Sequence, residues 1–551
     1  MPFNSHGDLG TNRHAYHVRR LRTLIVGTQA STGSPVNRGS RISKVRIWFS
    51  NSVGGKTNAG MTEPLQFHDA TKHSPLSVRA GHGPLDWSNK PYPFKDYLDL
   101  TPLPLPAPSS DTDLPALFGV TETPGEPREL GPDEVTRLLT LSAGVLREKS
   151  YPDGERFYFR TYASAGALYP IEIYVAAAGI EAIEPGLYHF HPLEKALRRI
   201  RDGDVRGYLV RATGGRQSVA RAPATILLSG IPWRTTWKYE ARGYRHLFWD
   251  AGMIIANLLA LAASGGHAAE VVLGFVDGEV NALLGLYRRS EMALAAVPLA
   301  FDRAGEPAPA VAADEPAALV GLDVKPLSNQ QRDYSEIDAV HEATSLKDPD
   351  EAAEWASAPT TRPDGSQESF VVGDSVERVI RRRGSSRAFK PDPMPLGDAL
   401  TIMERALRRL SADWAPPTIR MDLLVRALSD LDPGAYRLQD SRLELLAPGN
   451  VRDVGRFLCL EQPLGGDGAF TSFLMTDLTA TVDRLGPRGY RAAQLEAGIV
   501  AGRIYLGAYA SRVGATGLTF YDDKIREFFK TPDEPMLVVA VGHPDKGLRL
   551  M

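Results

Sequence analysis

The sequence has one cysteine, Cys459, in 551 residues. A single thiol cannot form an intramolecular disulfide or supply a cysteine-rich zinc site, so both devices are excluded. A chain without disulfides is typical of the reducing cytoplasm, where we place the protein. An excess of one charge is also lacking, since 63 Lys and Arg residues face 66 Asp and Glu residues. The near balance predicts no nucleic-acid partner.

A long hydrophobic run is missing too. The longest one, residues 252–264, is interrupted by Asn257 and is shorter than the roughly 20 residues of a membrane span. We therefore predict a buried helix and no membrane partner. Residues 1–60 have a single acidic residue, Asp8, against nine Lys and Arg residues, and show no sustained helix or strand period. Their composition leaves open a disordered basic tail, an over-extended start with Met61 as the true first residue, or a presequence.

What the chain does contain is an imperfect internal repeat. The segment Arg-Gly-Tyr-Arg at 242–245 recurs at 488–491, an offset of 488 − 242 = 246. Pro-Gly-x-Tyr at 185–188 recurs at 433–436, and an Ala-Thr segment beginning with His68 recurs at His341. An ordered series of matches favours duplication over chance. At the offset of 246 four further pairs align: Asp250 with Glu496, Gly252 with Gly498, Phe275 with Tyr521 and Asp277 with Asp523.

Each copy has the same pattern of predicted elements, which is a helix, a strand, a turn, a second strand, a long helix and a closing strand. This pattern predicts an α+β fold in which helices pack on a mixed sheet. The two halves, 61–303 and 336–551, should form a pseudo-dimer, with 304–335 as the linker. The predicted elements are helices 133–145, 396–407 and 334–344, strands 171–177 and 421–427, and closing strands 294–301 and 536–541.

Three groups of residues carry candidate chemistry, and the two halves do not share them. In the second half, Arg383, Ser385 and Arg387 form Arg-x-Ser-x-Arg before a helix. Guanidinium groups and a hydroxyl at this spacing suit a phosphate, although a solvated basic turn is the ordinary alternative. The corresponding stretch of the first half, 101–127, has no arginine and is rich in proline.

The first half has the complement. Ser164, Ala165 and Gly166 lie in a run of small residues before a strand, where a flat ligand could approach the backbone closely. The second half has Ser-Ala-Asp-Trp-Ala-Pro-Pro at 411–417 instead. A loop without a ligand is the alternative interpretation.

The third group is the pair Lys238 and Tyr239, which the second half replaces with Arg484 and Leu485. A lysine beside a tyrosine favours the phenolate and so lowers the pKa of the phenol, which would make Tyr239 a usable base. The alternative is a surface lysine next to a packed tyrosine.

These residues lie in segments that resemble the SagB-type dehydrogenases, which are FMN enzymes of the nitroreductase superfamily that act on heterocyclised peptides. The resemblance covers roughly residues 62–551. The segments that carry it are 68–72, 164–170, 238–245, 274–277, 383–389 and 514–523.

In that superfamily one subunit supplies Arg-x-Ser-x-Arg and late backbone contacts, and its partner supplies the small-residue loop. The resemblance therefore implies one FMN site made from both halves. The second half would contribute Arg383, Ser385, Arg387 and Thr519, and Lys546 by similarity to a segment whose basic residue reaches the phosphate. The first half would contribute Ser164, Ala165 and Gly166, together with Lys238 and Tyr239 as the catalytic pair.

The implied activity is oxidation of thiazoline or oxazoline rings to azoles in a peptide natural-product precursor. Tyr239 would remove a ring proton, Lys238 would tune it or polarise the ring, and a hydride would pass to N5 of FMN. Dioxygen would reoxidise the flavin, because no nicotinamide motif is visible. The implied partners are the heterocyclised precursor peptide and an azoline-forming cyclodehydratase. Association of two chains into a homodimer remains open.

Two alternatives remain open, and the second comes from a different class of protein. The chain could be another nitroreductase-family oxidoreductase that acts on a different amino-acid-derived or small-molecule substrate. It could instead be a flavin-free scaffold in a biosynthetic complex. Because each half lacks what the other supplies, the sequence predicts one FMN per chain.

Overall fold

The structure is a computed structural model that describes residues 62–80, 83–152, 156–287, 289–302, 308, 319, 322–356, 373–415 and 418–545. All of them belong to one compact unit, Gly55–Met551. The predicted tail 1–60, much of the predicted linker 304–335, and Lys546 lie outside the described residues. The domain boundaries therefore stay predictions.

Two six-stranded sheets and one hairpin make up the β structure of the described chain. The first sheet has the strand order β1-β6-β5-β4-β7-β8, the second has β11-β10-β9-β12-β14-β13, and β2 pairs with β3. The strands are β1 Pro102–Pro104, β2 Val145–Ser150, β3 Arg156–Arg160, β4 Ile171–Ala177, β5 Gly186–His191, β6 Ala196–Asp202, β7 Ala224–Gly230, β8 Met292–Leu299, β9 Arg420–Val425, β10 Gly434–Gln439, β11 Arg442–Pro448, β12 Phe470–Thr476, β13 Gly514–Leu518 and β14 Glu534–Gly542.

The two sheets repeat one topology. Strands β6-β5-β4-β7-β8 of the first sheet correspond in order to β11-β10-β9-β12-β14 of the second. This confirms the duplicated α+β fold. Every pairing between two strands of these sheets is antiparallel, so the mixed sheet expected from the sequence is wrong in that detail. The segments between the paired strands include short turns and hairpins, and such connections join antiparallel strands.

The central strand β4 is buried along its whole length. Its odd-numbered residues, such as Ile173 and Val175, enter the main core, whereas Tyr174 and Ala176 enter a second hydrophobic cluster. Because successive side chains of a strand point to opposite faces, the first sheet packs apolar residues on both sides. That is why this strand reads as a continuous apolar run.

Helices surround the sheets, and the three whose bounds were predicted, 133–145, 396–407 and 334–344, lie within two residues of the observed bounds. The described helices are α1 Glu63–Ala70, α2 Pro75–Ala80, α3 Ala116–Val120, α4 Pro132–Ala143, α5 Arg206–Ala212, α6 Gln217–Arg221, α7 Pro232–Tyr239, α8 Gly243–Ser264, α9 Asp277–Leu284, α10 Ser335–Ala343, α11 Pro349–Trp355, α12 Val376–Arg382, α13 Leu396–Ala406, α14 Arg452–Leu458, α15 Leu464–Asp467, α16 Leu478–Leu485, α17 Gly489–Ala510 and α18 Asp522–Phe529, with short 3-10 turns at Trp87–Asn89, Ala165–Ala167 and Glu240–Arg242.

Helices α8 and α17 lie at the centre, one from each half. In the part of the chain that the structure describes, the segment Pro232–Ser264, which ends in α8, is long and apolar enough to cross a membrane, and its most apolar window is fully buried in the protein. The predicted buried helix is thus confirmed as a core helix. The two helices touch at Gly252 and Gly498, where a Cβ on Gly252 would lie 2.5 Å from the carbonyl carbon of Gly498. Only glycine permits this backbone approach.

Reciprocal ion pairs join the halves at the start of each of these two helices. Arg242 and Arg245 both contact Asp522, each at 3.0 Å, and Arg488 and Arg491 contact Asp277 at 2.5 and 2.6 Å. Burial raises the pKa of each carboxyl, but the two guanidinium groups outweigh burial and hold it at about 2. Asp277 therefore corresponds to Asp522, and the sequence alignment of Asp277 with Asp523 was one residue out.

The repeated Ala-Thr segments take part in the same arrangement. Arg245 donates to the carbonyl of His68 and to Thr71, and Arg491 donates to the carbonyl of His341 and to Thr344. The same contacts occur in both copies, as a self-complementary two-fold interface requires. The repeat is therefore a pseudo-dimer interface within one chain.

Candidate active site

A loop between β3 and β4 carries the small residues and is fixed by Asp250 of α8. Ser164 Oγ donates to Asp250 Oδ2 at 2.5 Å, and the backbone N–H of Ala165 donates to Oδ1 at 3.3 Å. Ser164 Oγ also accepts from the N–H of Tyr169 at 3.0 Å. Burial raises the pKa of Asp250 to about 7, although these two donors favour the carboxylate. The loop conformation thus depends on one buried acid.

Gly166 connects this loop to the Lys-Tyr pair. Its φ of 64° lies in the left-handed region that favours glycine. A Cβ at Gly166 would lie 3.0 Å from the hydroxyl of Tyr239 and 3.3 Å from Nζ of Lys238. Any side chain here would meet both polar atoms. The structure therefore brings together the small-residue loop and the predicted catalytic pair.

Helix α7 ends at this pair. Glu240, with a φ of 48°, breaks the helix directly after Tyr239. Arg234, one turn before Lys238, donates to the carbonyl of Tyr169 at 3.1 Å and to Glu172 at 2.5 Å. These contacts tie the helix to the start of β4, so the pair and the loop are held by the same strand.

Electrostatics modify the role expected for the pair. Burial, followed by the charges of Arg387 and Lys90, lowers the pKa of Lys238. Burial and the charge of Asp250 raise the pKa of Tyr239. The expectation that Lys238 lowers the pKa of the phenol is therefore wrong for this structure, in which Tyr239 is a neutral phenol and Lys238 loses its proton more easily than an ordinary lysine.

The second half approaches from the other side with Arg383, Ser385 and Arg387. The guanidinium of Arg383 is buried and donates to the carbonyls of Thr161 at 3.1 Å and Arg160 at 2.8 Å. It therefore anchors the start of the small-residue loop. Ser385 and Arg387 are exposed, and Arg387 is near enough to Lys238 to lower its pKa. Residues that lie far apart in the sequence thus meet across the two halves.

Thr519 belongs to the same side of the site. Tyr505 accepts from the N–H of Gly517 at 2.7 Å and lies 3.3 Å from Ser385 Oγ. Thr519 directly follows the last residue of β13, and its hydroxyl accepts from Gln462 Nε2 at 3.0 Å. Tyr505 therefore joins the Arg-x-Ser-x-Arg segment to the end of β13.

The sequence interpretation missed His246. Its ring lies 4.2 Å from the ring of Tyr239 and 4.6 Å from that of Trp249, centroid to centroid, with tilts of 32° and 34°. It is fully buried, and neither ring nitrogen has a hydrogen-bond partner among the described residues. Burial and the nearby arginines hold its pKa well below the usual value. The repeat contained the signal, because the offset of 246 places Ala492 opposite His246.

The counterpart of the site in the second half is filled. Trp414 occupies the position of the small-residue loop, is fully buried, and donates to Glu496 at 3.1 Å. Glu496 corresponds to Asp250, so the acid is kept and the loop is replaced by an indole. On the outside, Trp355 donates to the carbonyl of Leu485 at 2.6 Å. Within the described residues, no group of three or more His, Cys, Asp or Glu side chains is placed to hold a metal ion.

The geometry suits a flat ligand with an anionic group. Gly166 presents bare backbone beside two polar side chains, and Ser385 and Arg387 are exposed donors of the kind that bind phosphate. A flavin nucleotide combines a flat ring with a phosphate, so this site points to the class of flavin-binding proteins.

The comparisons agree with this class. The model of the nitroreductase family matches residues 128–300 and 380–543, which is more than half of the chain and one segment in each half. The chain belongs to the nitroreductase family, and this membership makes it a flavin oxidoreductase.

Individual relatives cover parts of the chain. The protein named "Putative nitroreductase" of Methanocaldococcus jannaschii is 31% identical over 151 residues, which are 27% of this chain and 72% of that protein. The microcin B17-processing protein McbC of Escherichia coli is 29% identical over 136 residues, 24% of this chain and 50% of that protein. The chain thus matches half the length of McbC. A crystal structure from Anabaena variabilis, with the same description as the first relative, is 23% identical at a TM-score of 0.68 and covers 88% of this chain and 100% of that one. This likeness shows that the fold extends over both halves.

Proposed function

We propose that the protein is an FMN-dependent azoline dehydrogenase of the SagB type, which oxidises thiazoline or oxazoline rings in a peptide precursor to azoles. The observation that carries the proposal is the meeting of Lys238 and Tyr239 at Gly166, with Arg387 of the other half beside them. A simple reductase has no need of a paired amine and phenol at the edge of a ligand site. A ring oxidation needs a group that removes a proton.

The residues present fit FMN. The bare backbone at Gly166 and the loop held by Asp250 suit the flat ring, and the exposed Ser385 and Arg387 suit the phosphate. Arg383 would act partly through the carbonyls that it holds. The proposed FMN residues are Ser164, Ala165 and Gly166 from the first half and Arg383, Ser385, Arg387, Thr519 and Lys546 from the second.

When bound, FMN supplies the hydride acceptor, with dioxygen as the final electron acceptor. The chain itself handles the proton. Because Tyr239 is a neutral phenol, its oxygen can accept the ring proton only as its own proton leaves. Lys238 is the acceptor for that proton, since its lowered pKa makes the neutral amine accessible. The proton would thus pass from the ring carbon to Tyr239, and the phenol proton from Tyr239 to Lys238.

The similarity to McbC, which is named for processing microcin B17, supports a peptide as the substrate. An azoline ring is the product of a cyclodehydration of Cys, Ser or Thr, so we propose a cyclodehydratase as the partner enzyme that supplies the substrate. The reaction would take place in the cytoplasm.

The test uses a peptide that carries one thiazoline ring. Tyr239→Phe should keep the flavin and the fold but slow azole formation by about 100- to 10,000-fold, since only the proton acceptor is lost. Lys238→Arg should be similarly slow, because a guanidinium stays protonated. Tyr287→Phe, an exposed tyrosine outside the site, is the control.

Near-normal turnover of Tyr239→Phe would refute the role of the pair. A wild-type protein that binds flavin but oxidises no azoline, while it reduces quinones or nitroaromatics, would refute the proposed reaction. A protein purified without flavin, and unable to bind it, would instead favour a scaffold.

A further inference from the structure

A row of aromatic and lysine side chains extends outward from the catalytic pair. Trp237, the residue before Lys238, contacts Trp87 edge-on with ring centroids 5.3 Å apart. Nζ of Lys90 lies 5.8 Å from the Trp87 ring and 4.3 Å from the Phe157 ring. The row continues on the β2–β3 hairpin. We call the following set the aromatic row: Trp237, Trp87, Lys90, Phe157, Tyr151 and Lys149.

The far end of the row has the same two kinds of contact, ring to ring and ammonium to ring. Phe157 and Tyr151 contact each other at 5.3 Å, and Nζ of Lys149 lies 4.3 Å from the Tyr151 ring. Each step thus joins an aromatic ring to another ring or to an ammonium group. Such cation–π and edge contacts hold the side chains beside one another at the surface.

Two large aromatic side chains of the row are exposed. Trp87 is 62% exposed and Tyr151 is 39% exposed. A single exposed aromatic residue needs no explanation, but a connected set of side chains that begins at the candidate active site favours a binding surface. Of the described acids beside the row, Glu148 pairs with Arg156, and Asp86 accepts hydrogen bonds from Ser88. The row itself presents rings and the ammonium groups of Lys90 and Lys149.

The base of the row is rigid. Trp237 Nε1 donates to the carbonyl of Asp86 at 3.1 Å, and Asn89 exchanges two hydrogen bonds with Gln330 at 2.9 and 3.0 Å. The turn that carries Trp87 is thus fixed at both ends. A surface that is already ordered loses little conformational entropy on binding.

The row is also continuous with the catalytic pair. Trp237 belongs to a small apolar cluster that includes Leu168, Trp233 and, at its edge, Tyr239. Leu168 lies two residues after Gly166. A chain that is bound along the row therefore has one end directed to the place where Lys238 and Tyr239 meet.

We propose that the aromatic row binds the part of the peptide that adjoins the ring being oxidised. Flat rings of the peptide stack on Trp87 and Tyr151, and its carbonyl or carboxylate oxygens face Lys90 and Lys149. The occupant is an extended peptide of neutral or acidic character that carries five-membered heterocycles. This inference rests on the proposed function, because it assigns the binding surface for that substrate.

The test compares two substrates on the full-length, flavin-loaded protein. One is a fluorescent peptide with several azole rings and one thiazoline, and the other is a single thiazoline compound without a peptide. Trp87→Ala and Tyr151→Ala should each raise the KM for the peptide about 3- to 10-fold and leave kcat unchanged, because each removes one stacking contact. Neither should change the kinetics of the small compound. Trp87→Phe should restore most of the peptide affinity.

Tyr287→Ala is the matched control, because Tyr287 is 75% exposed and lies outside the row. Binding of the peptide, followed by fluorescence anisotropy without turnover, separates the two proposals. If no azoline is oxidised, the proposed function fails, and anisotropy with Trp87→Ala still tests the row.

Equal peptide binding by wild type and by Trp87→Ala would overturn the proposal. So would preferential binding of oligothymidine, since alternating rings and lysines also suit single-stranded nucleic acid. A loss of affinity for the peptide alone is the expected result.

Discussion

The two halves have the same framework around their central helices, but different residues fill the two corresponding sites. In the first half Asp250 holds a loop of small residues, and in the second half Glu496 holds Trp414 in the corresponding place. The acid has the same structural task in both copies, which is to accept hydrogen bonds from the segment before a strand. What differs is whether that segment leaves room for a ligand.

Comparing the two halves separates the residues that join the halves from the residues of the candidate site. The residues that are alike in both copies, such as the paired arginines and the crossing glycines, are those that join the halves. The residues that differ lie at the candidate site: Lys238 and Tyr239 lie beside Gly166, and His246 packs against Tyr239. A duplicated chain thus needs to keep only one working site, provided that both copies still support each other.

The largest expected effect concerns flavin binding. Arg387→Ala should raise the Kd for FMN by about 10- to 150-fold, since a charge-assisted hydrogen bond contributes about 1.5–3 kcal/mol. Arg378→Ala, an exposed arginine on the preceding helix α12, is the matched control. Heat-released flavin counted against protein should give one FMN per chain for wild type. Two FMN per chain would mean that the filled counterpart also binds.

Removing the indole in the second half should affect stability instead. Trp414→Ala removes a fully buried ring and leaves Glu496 without one donor, so we expect a loss of about 3–5 kcal/mol in the free energy of unfolding. The flavin content should remain at one per chain, because the first half offers no equivalent of Arg387. Urea denaturation and flavin counting measure the two outcomes. A second bound flavin would show that Trp414 alone closes that site.

Asp250→Asn and Glu496→Gln remove the same charge from the two copies. The pKa of Asp250 is raised from 3.8 to about 7, so the folded state binds a proton there that the unfolded state has lost. Its contribution to stability therefore falls as the pH rises from about 4 to about 7. Asp250→Asn should remove this slope and weaken turnover, whereas Glu496→Gln should leave turnover unchanged. Equal turnover losses in both variants would contradict the division of roles.

The smallest effect should appear in the pH profile. Because Lys238 must be neutral to accept a proton, turnover should rise with pH through a pKa below that of an ordinary lysine. Lys90→Met removes one of the charges that lower this pKa. The midpoint should then move upward by about a few tenths of a pH unit, as expected for a charge near the surface. A downward shift of the midpoint would contradict the assignment of this rise in turnover to Lys238.

Much of the fold was accessible from the sequence because the repeat gave each element two independent observations. Strand β4 was placed at its observed bounds, Ile171–Ala177. The sequence aligned Asp277 with Asp523, one residue away from its true counterpart. The sequence alone does not show which of the two adjacent acids, Asp522 or Asp523, contacts the arginines. The predicted lowering of the pKa of Tyr239 was wrong for a related reason. Burial raises this pKa, and the extent of burial is a property of the folded chain.

The reciprocal ion pairs also bear on how the chain chooses its partner. Asp277 and Asp522 are equivalent, so the arginines of a first half would find a suitable acid on another first half as readily as on a second half. Charge matching therefore does not distinguish the correct pairing from a pairing of two like halves, which would hold two Lys-Tyr pairs and no Arg387. The covalent link makes that distinction, because it sets a high local concentration of the unlike half. If the link were cut, a first half could pair with another first half or with a second half, and only the second pairing would assemble the complete site.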